Sequence, residues 1–196
     1  MKLVATVSSV EEARIAEKAD VLEFRLDIAD IEFETAKEKI LTIRRREDGG
    51  AYEGSEELRL RRIVEMSKEF DYVDLEVDVP DWVFDEVSAD VIESYHNFAG
   101  TPDYDFLRCL AENRRGDILK VATMGRSGED VKKIARLLVE HENVVAFLMG
   151  EKFSFTRVMA AMLGSPLVYC YVGKPKAPGQ LELNFAYELF RRLGLR

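Results

Sequence analysis

Residues 21–27 read Val-Leu-Glu-Phe-Arg-Leu-Asp, and their strict alternation decides how the rest of the chain is read. Leu22, Phe24 and Leu26 share one side of a period-two strand, while Glu23, Arg25 and Asp27 share the other. Residues 73–78, Val-Asp-Leu-Glu-Val-Asp, repeat the pattern. A solvated face would explain either strand alone. Two such strands in one α/β chain point instead to charged side chains lining an interior, where an unpaired charge is costly and calls for a function.

Outward from these stretches, eight short apolar runs recur: Leu3–Val7, Val21–Leu26, Ile40–Arg44, Tyr72–Val77, Val91–Tyr95, Ile118–Thr123, Val144–Met149 and Leu167–Tyr171. Each has the length and β-branched content of a strand. Helical patterns separate them. Residues 128–141 put Val131, Ile134, Ala135 and Leu138 on one face and Lys132, Lys133 and Arg136 on the other. Ser55 stands as an N-cap to a helix running to Phe70, Pro102 and Asp103 begin another, and residues 179–193 close the chain with a last one. Eight strands, each followed by a helix, predict a small single-domain (β/α)8 barrel over residues 1–196, at the short end of the roughly 200 to 400 residues that architecture uses. An open doubly wound sheet is the alternative, but the first strand-to-helix turn, residues 5–13, has no Gly-x-Gly-x-x-Gly to support it.

Composition excludes several classes of function. With 47% hydrophobic residues and only 2 Cys in 196, the chain can bury a core without disulfides, and no apolar stretch reaches the roughly 20 residues that cross a bilayer. Charges fall early in residues 1–14, where an export signal would continue its apolar region, so a cytoplasmic protein without membrane attachment is expected. The net charge of -9 opposes binding to nucleic acid, despite the arginines at 44–46 and 59–62. Cys109 and Cys170 read as buried free thiols, and no Cys/His cluster has metal-ligand spacing.

Lys120 interrupts the otherwise apolar run Ile118-Leu119-Lys120-Val121-Ala122. Burial strips an ammonium of hydration and lowers its pKa, and the neutral amine is a nucleophile for a carbonyl. His96 ends the preceding strand, at the carboxyl end where barrel active sites lie. The only other histidine, His141, falls at a helix end and reads as a solvated or helix-dipole cation. An amine and an imidazole on adjoining strands fit imine catalysis: Lys120 condenses with a ketone, and His96 moves the proton that the iminium acidifies. These residues leave open whether the bond then broken is C–C, as in an aldolase, or C–O, as in a dehydratase. A barrel that merely binds a hydroxy acid is a third possibility.

The chain resembles the type I 3-dehydroquinate dehydratases. The matching pieces are residues 23–27 (EFRLD), Thr42-Ile43-Arg44 running into Asp48-Gly49-Gly50, Asp74-Leu75-Glu76, residues 94–98 (SYHNF), Lys120-Val121-Ala122, Met149-Gly150 with Thr156-Arg157, and Ala177-Pro178-Gly179-Gln180. They span nearly the whole chain in the family's order. The resemblance implies a (β/α)8 barrel that converts 3-dehydroquinate into 3-dehydroshikimate and water without metal or organic cofactor. It further implies Lys120 as the Schiff-base lysine, His96 as proton carrier, Glu23, Arg25 and Arg44 at the ring hydroxyls, and Arg157 and Gln180 at the carboxylate side. A homodimer would agree with many relatives.

Asp74 and Glu76 are expected to orient the imidazole. Three departures from the family pattern stand out: Lys176 in place of a Ser or Thr, the segment MGEKFSFTR at 149–157 without a second Gly, and Asp48 in place of Glu. A substrate contact from the first strand would come from Thr6 or Ser8. Residues 125–128, Gly-Arg-Ser-Gly, read as a plain strand-to-helix turn. The 177–180 loop is placed to fold over the barrel mouth.

Overall fold

The structure, a computed structural model, covers residues 1–196. Strands β1 (Lys2–Val7), β2 (Val21–Arg25), β3 (Glu38–Thr42), β4 (Tyr72–Glu76), β5 (Asp90–Asn97), β6 (Ile118–Met124), β7 (Val144–Met149), β8 (Leu167–Tyr171) and the two-residue β9 (Leu181–Glu182) form one sheet in the order β7-β6-β5-β4-β3-β2-β1-β8-β9. Every pairing in it is parallel. The helices are α1 (Val10–Ile15), α2 (Glu56–Met66), α3 (Asp81–Glu86), α4 (Tyr104–Glu112), α5 (Gly128–Glu140), α6 (Phe155–Met162) and α7 (Leu183–Arg192).

All eight expected strands form, and the sheet curls as a barrel does, with two differences from the sequence-based expectation. β2 is followed by turn and coil through residue 37 instead of a helix. That segment, rich in acidic residues, buries only Leu26 and Ile31, with Ala29 and Phe33 packed beside them, so no continuous apolar face exists for a helix to dock. The sheet also has two edges, β7 and β9, so no ladder closes the ring. Packing closes it instead, since an inner cluster joins Val4, Val21, Ile40, Ile92, Ile118, Val145, Phe147, Leu167 and Tyr169 across that seam.

The alternation read in residues 21–27 has the predicted sense. Leu22, Phe24 and Leu26 belong to the apolar layer between sheet and helices. Glu23 and Arg25 are buried on the opposite face. Register then sets which interior residues meet: Thr6 lies opposite Glu23, Arg25 opposite Thr42, and Ser94 opposite Lys120.

Local signals place the helix starts. The hydroxyl of Ser55 accepts from Leu58 N–H at 3.3 Å, and Asp130 accepts from the N–H of Arg126 and of Ser127, each at 2.9 Å, which makes residues 125–128 the plain turn expected. The last helix begins at Leu183, later than expected, because residues 179–182 are taken up by a loop and β9. Cys170 is buried as expected, whereas Cys109 is exposed on α4, whose buried face is carried by Leu107 and Ala111.

Arg59 anchors α2. It is 0% exposed and donates to Ile43 O at 2.7 Å and to both Glu76 oxygens at 3.2 and 2.9 Å. Removing one member of a buried ion pair leaves the other charge uncompensated. Arg59→Met should therefore destabilise the fold by about 3 kcal/mol, read as a lower midpoint in urea unfolding; a loss below about 1 kcal/mol would contradict the anchoring role.

Candidate active site

All seven residues singled out from the sequence, Lys120, His96, Glu23, Arg25, Arg44, Arg157 and Gln180, line one cavity of about 590 Å³, its open mouth included. The fold brings them together from β2, the segment just after β3, β5, β6, α6 and the loop after β8.

Lys120 points inward and is 4% exposed. Its Nζ donates to Asp74 Oδ2 at 2.7 Å and lies 4.0 Å from Glu23 Oε1. Asp74 is shared, since Arg44 Nη2 pairs with it at 2.8 Å and the Ser94 hydroxyl donates to it at 2.6 Å. Burial alone would raise the Asp74 pKa, but the charges of Arg44 and Lys120 outweigh it and hold the carboxyl far below the usual range. For Lys120 the balance reverses: desolvation dominates, Asp74 opposes it, Arg44 adds to it, and the pKa falls. That is the direction expected of a buried nucleophilic amine.

His96 sits two residues beyond Ser94 on the same face of β5, diagonal to Lys120. Burial first, then the charges of Arg44 and Lys120, push its pKa well below 6.5, so the ring is neutral. Arg44 Nη1 lies 3.1 Å from its Nδ1. A guanidinium only donates, so Nδ1 holds the lone pair and Nε2 the proton.

This corrects the expectation that Asp74 and Glu76 orient the imidazole. Asp74 is engaged by Lys120, Arg44 and Ser94, Glu76 is taken by Arg59, and Arg44 is the residue that touches the ring.

Thr6, left undecided against Ser8, is the first-strand hydroxyl in the cavity: it donates to Glu23 Oε2 at 2.7 Å and accepts from Gln180 Nε2 at 3.1 Å. Ser8 instead bonds Glu12. Thr42 supplies a second hydroxyl to Glu23 at 3.0 Å. Its place two residues before Arg44 on β3 was the signal that could have found it. His141 stands apart, as the C-cap of α5.

Four of the five cations lining the cavity have acidic partners: Arg25 pairs with Asp27, Arg44 and Lys120 with Asp74, and Lys176 with Glu12 at 2.6 Å. Arg157 has none. It is 2% exposed, donates from Nε to Gly179 O at 3.0 Å, stacks at 3.8 Å over the Phe147 ring, and leaves Nη2 without a partner. Desolvation lowers its pKa to about 10. A buried guanidinium with a free edge is a receptor for a carboxylate.

The loop after β8 lies across the mouth. Lys176 N–H donates to Gln180 Oε1 at 2.9 Å, and Gly150 N–H donates to Pro178 O at 3.3 Å. Gly179 has φ +72°, and a Cβ there would stand 2.5 Å from Gly150 O, so only glycine fits this approach.

A desolvated lysine beside a neutral imidazole, at the carboxyl ends of a curled parallel sheet and facing an unpaired arginine, defines an α/β-barrel enzyme site for a carbonyl-bearing acid. The chain belongs to the type I 3-dehydroquinase family, whose model matches residues 4–195. It is 57% identical to the 3-dehydroquinate dehydratase of Archaeoglobus fulgidus over 99% of this chain and 100% of that relative, and 36% identical to that of Methanopyrus kandleri over 92% and 90%. The crystal structure of the Aquifex aeolicus 3-dehydroquinate dehydratase superposes with a TM-score of 0.80 at 25% identity, covering 98% of both chains.

The Lys176–Glu12 pair fastens the mouth loop to α1. Lys176→Met should speed proteolytic cleavage within residues 173–180 severalfold without a matching loss of global stability; an unchanged cleavage rate would count against the fastening.

Proposed function

We propose that residues 1–196 act as one catalytic domain that dehydrates 3-dehydroquinate to 3-dehydroshikimate through an imine on Lys120. The observation that carries this reading is the arrangement of three groups in one cavity: a buried amine, an imidazole diagonal to it, and a guanidinium without an acidic partner.

The Lys120 amine adds to the C3 ketone, forming the N–C bond. The carbonyl oxygen leaves as water, and an iminium remains. That cation acidifies the C2–H, and His96 takes the proton while its electron pair forms the enamine. Collapse of the enamine expels the C1 hydroxyl, which leaves as water with the proton held by the same imidazole. Hydrolysis of the resulting conjugated iminium releases the ketone and restores the amine.

In this reading Nδ1 is the nitrogen that takes the proton, because it holds the lone pair, and Arg44 frees it on turning to the substrate. Glu23 accepts from a ring hydroxyl while Arg25 and Arg44 donate to others. Arg157 binds the C1 carboxylate, with Gln180 closing that side. The one unpaired cation supports a substrate with one carboxylate. A class I aldolase working on sugar phosphates would want a built phosphate site after β7 and β8, where Arg157 is the one cavity cation without an acidic partner and Lys176 is taken by Glu12.

No helix is long and apolar enough to cross a membrane; the cytoplasmic setting is our assignment. We also assign a homodimer, as the family resemblance implies.

Borohydride reduction with 3-dehydroquinate should leave a substrate-sized adduct on Lys120 by mass mapping; no adduct there would sink the mechanism. His96→Ala should still form the imine yet lose about 10²- to 10⁴-fold in turnover. Arg157→Met should act mainly on KM, and an unchanged KM would remove it from the carboxylate site.

The acid limb of kcat/KM should lie below pH 6.5. His96 is a base only when neutral, and its lowered pKa extends the neutral form toward acid. A limb at or above 6.5 would contradict this assignment.

A further inference from the structure

One aromatic side chain in the cavity has no part in the reaction described. Tyr169, on β8, is 4% exposed, and its ring centroid lies 4.3 Å from Lys120 Nζ. Its hydroxyl is buried without a hydrogen-bond partner. An unpaired buried hydroxyl is a cost that phenylalanine, of almost the same shape, would not incur. The ring is therefore the part of this side chain with a visible contact.

We propose that Tyr169 is a further catalytic residue, its ring face stabilising the positive charge that Lys120 nitrogen carries between amine attack and product release. This rests on the Schiff-base reading above.

The argument follows from counting protons on that nitrogen. An ammonium has three N–H groups, and one of them meets Asp74 at 2.7 Å. Once the N–C bond has formed and the carbonyl oxygen has left as water, the iminium nitrogen keeps a single N–H. Contacts that need a donor hydrogen are then mostly lost. The attraction of a cation to a ring face needs none, so it persists through the iminium stage, and it is strongest where water is excluded.

The other titratable groups around Nζ come from elsewhere on the barrel: Glu23 on β2, Arg44 just beyond β3, Asp74 on β4 and the neutral His96 on β5. Tyr169 faces the nitrogen from β8, and burial pushes its phenol pKa well above the usual value, so the ring stays uncharged at neutral pH.

A ring that favours the cationic nitrogen raises the pKa of the free amine and lowers the energy of the iminium together. Weakening the ring should move the pH dependence of imine trapping toward acid and reduce kcat, with KM little changed. Three replacements separate the causes: Tyr169→Phe keeps the ring and removes the hydroxyl, a trifluorinated phenylalanine introduced at position 169 keeps the shape but empties the ring face of electron density, and Tyr169→Leu removes the ring.

We expect kcat within about twofold of the parent for Tyr169→Phe and about tenfold lower for the other two, with the trapping profile shifted to lower pH. The fluorinated ring guards against a leucine variant that fails to fold, since it fills the same volume. Full kcat with an unshifted profile for the fluorinated ring would overturn the proposal. A Tyr169→Phe loss as large as that of Tyr169→Leu would overturn it too, by assigning the effect to the hydroxyl. If the parent enzyme gives no Lys120 adduct, the Schiff-base reading itself fails, an outcome distinguishable from either.

Discussion

The carboxylate of Asp74 is the charge on which the interior depends. Lys120 and Arg44 are cations buried within a few ångströms of one another, and without an anion between them their mutual repulsion would add to the loss of hydration. Asp74 meets both at hydrogen-bond distance and receives Ser94 as well. The same contacts set the poise of the lysine. The carboxylate keeps the ammonium in place, while burial and Arg44 work against its charge, so the amine is held where it can lose a proton without moving far. Arg44 carries the arrangement one step further by touching His96, which couples the two groups of the proposed chemistry through a single guanidinium.

Around that cluster, the cavity is nearly neutral by local pairing. Lys176, a cation where the family pattern has a hydroxyl, adds no free charge because Glu12 meets it. The result is a site with one unmatched guanidinium and a set of hydroxyl and carboxylate partners, Thr6, Thr42 and Glu23. A ligand with one carboxylate and several ring hydroxyls would complement both, and a dianionic phosphate would overfill the first.

Much of this could be read in the sequence because parity in a strand is unambiguous. Alternation in residues 21–27 told which face of β2 is charged, and the isolation of Lys120 in an aliphatic run told that it is buried. Parity does not say which neighbour a side chain meets. Asp74 and Glu76 share a face, yet Glu76, at the end of β4, is reached by Arg59 from α2, a partner that depends on how the helix docks. Thr6 and Ser8 share parity as well, and only the position of α1, which brings Glu12 to Ser8, separates them. The missing helix after β2 was concealed by the regular spacing of the strands. The seam between β7 and β9 rests on side-chain packing, which no local pattern encodes.

The pairing of β1 with β8 has a consequence for how the molecule comes into being. Lys2 is in register with Leu167, and Gln180 reaches back to Thr6 across 174 positions, so segments far apart in sequence build the same wall. A chain emerging from the ribosome can form the strands from β1 to β7 as a widening ribbon, but its interior charges stay open to water until the eighth arrives. Desolvation of Lys120 thus waits on the docking of β8, whose Tyr169 ring covers its Nζ at 4.3 Å.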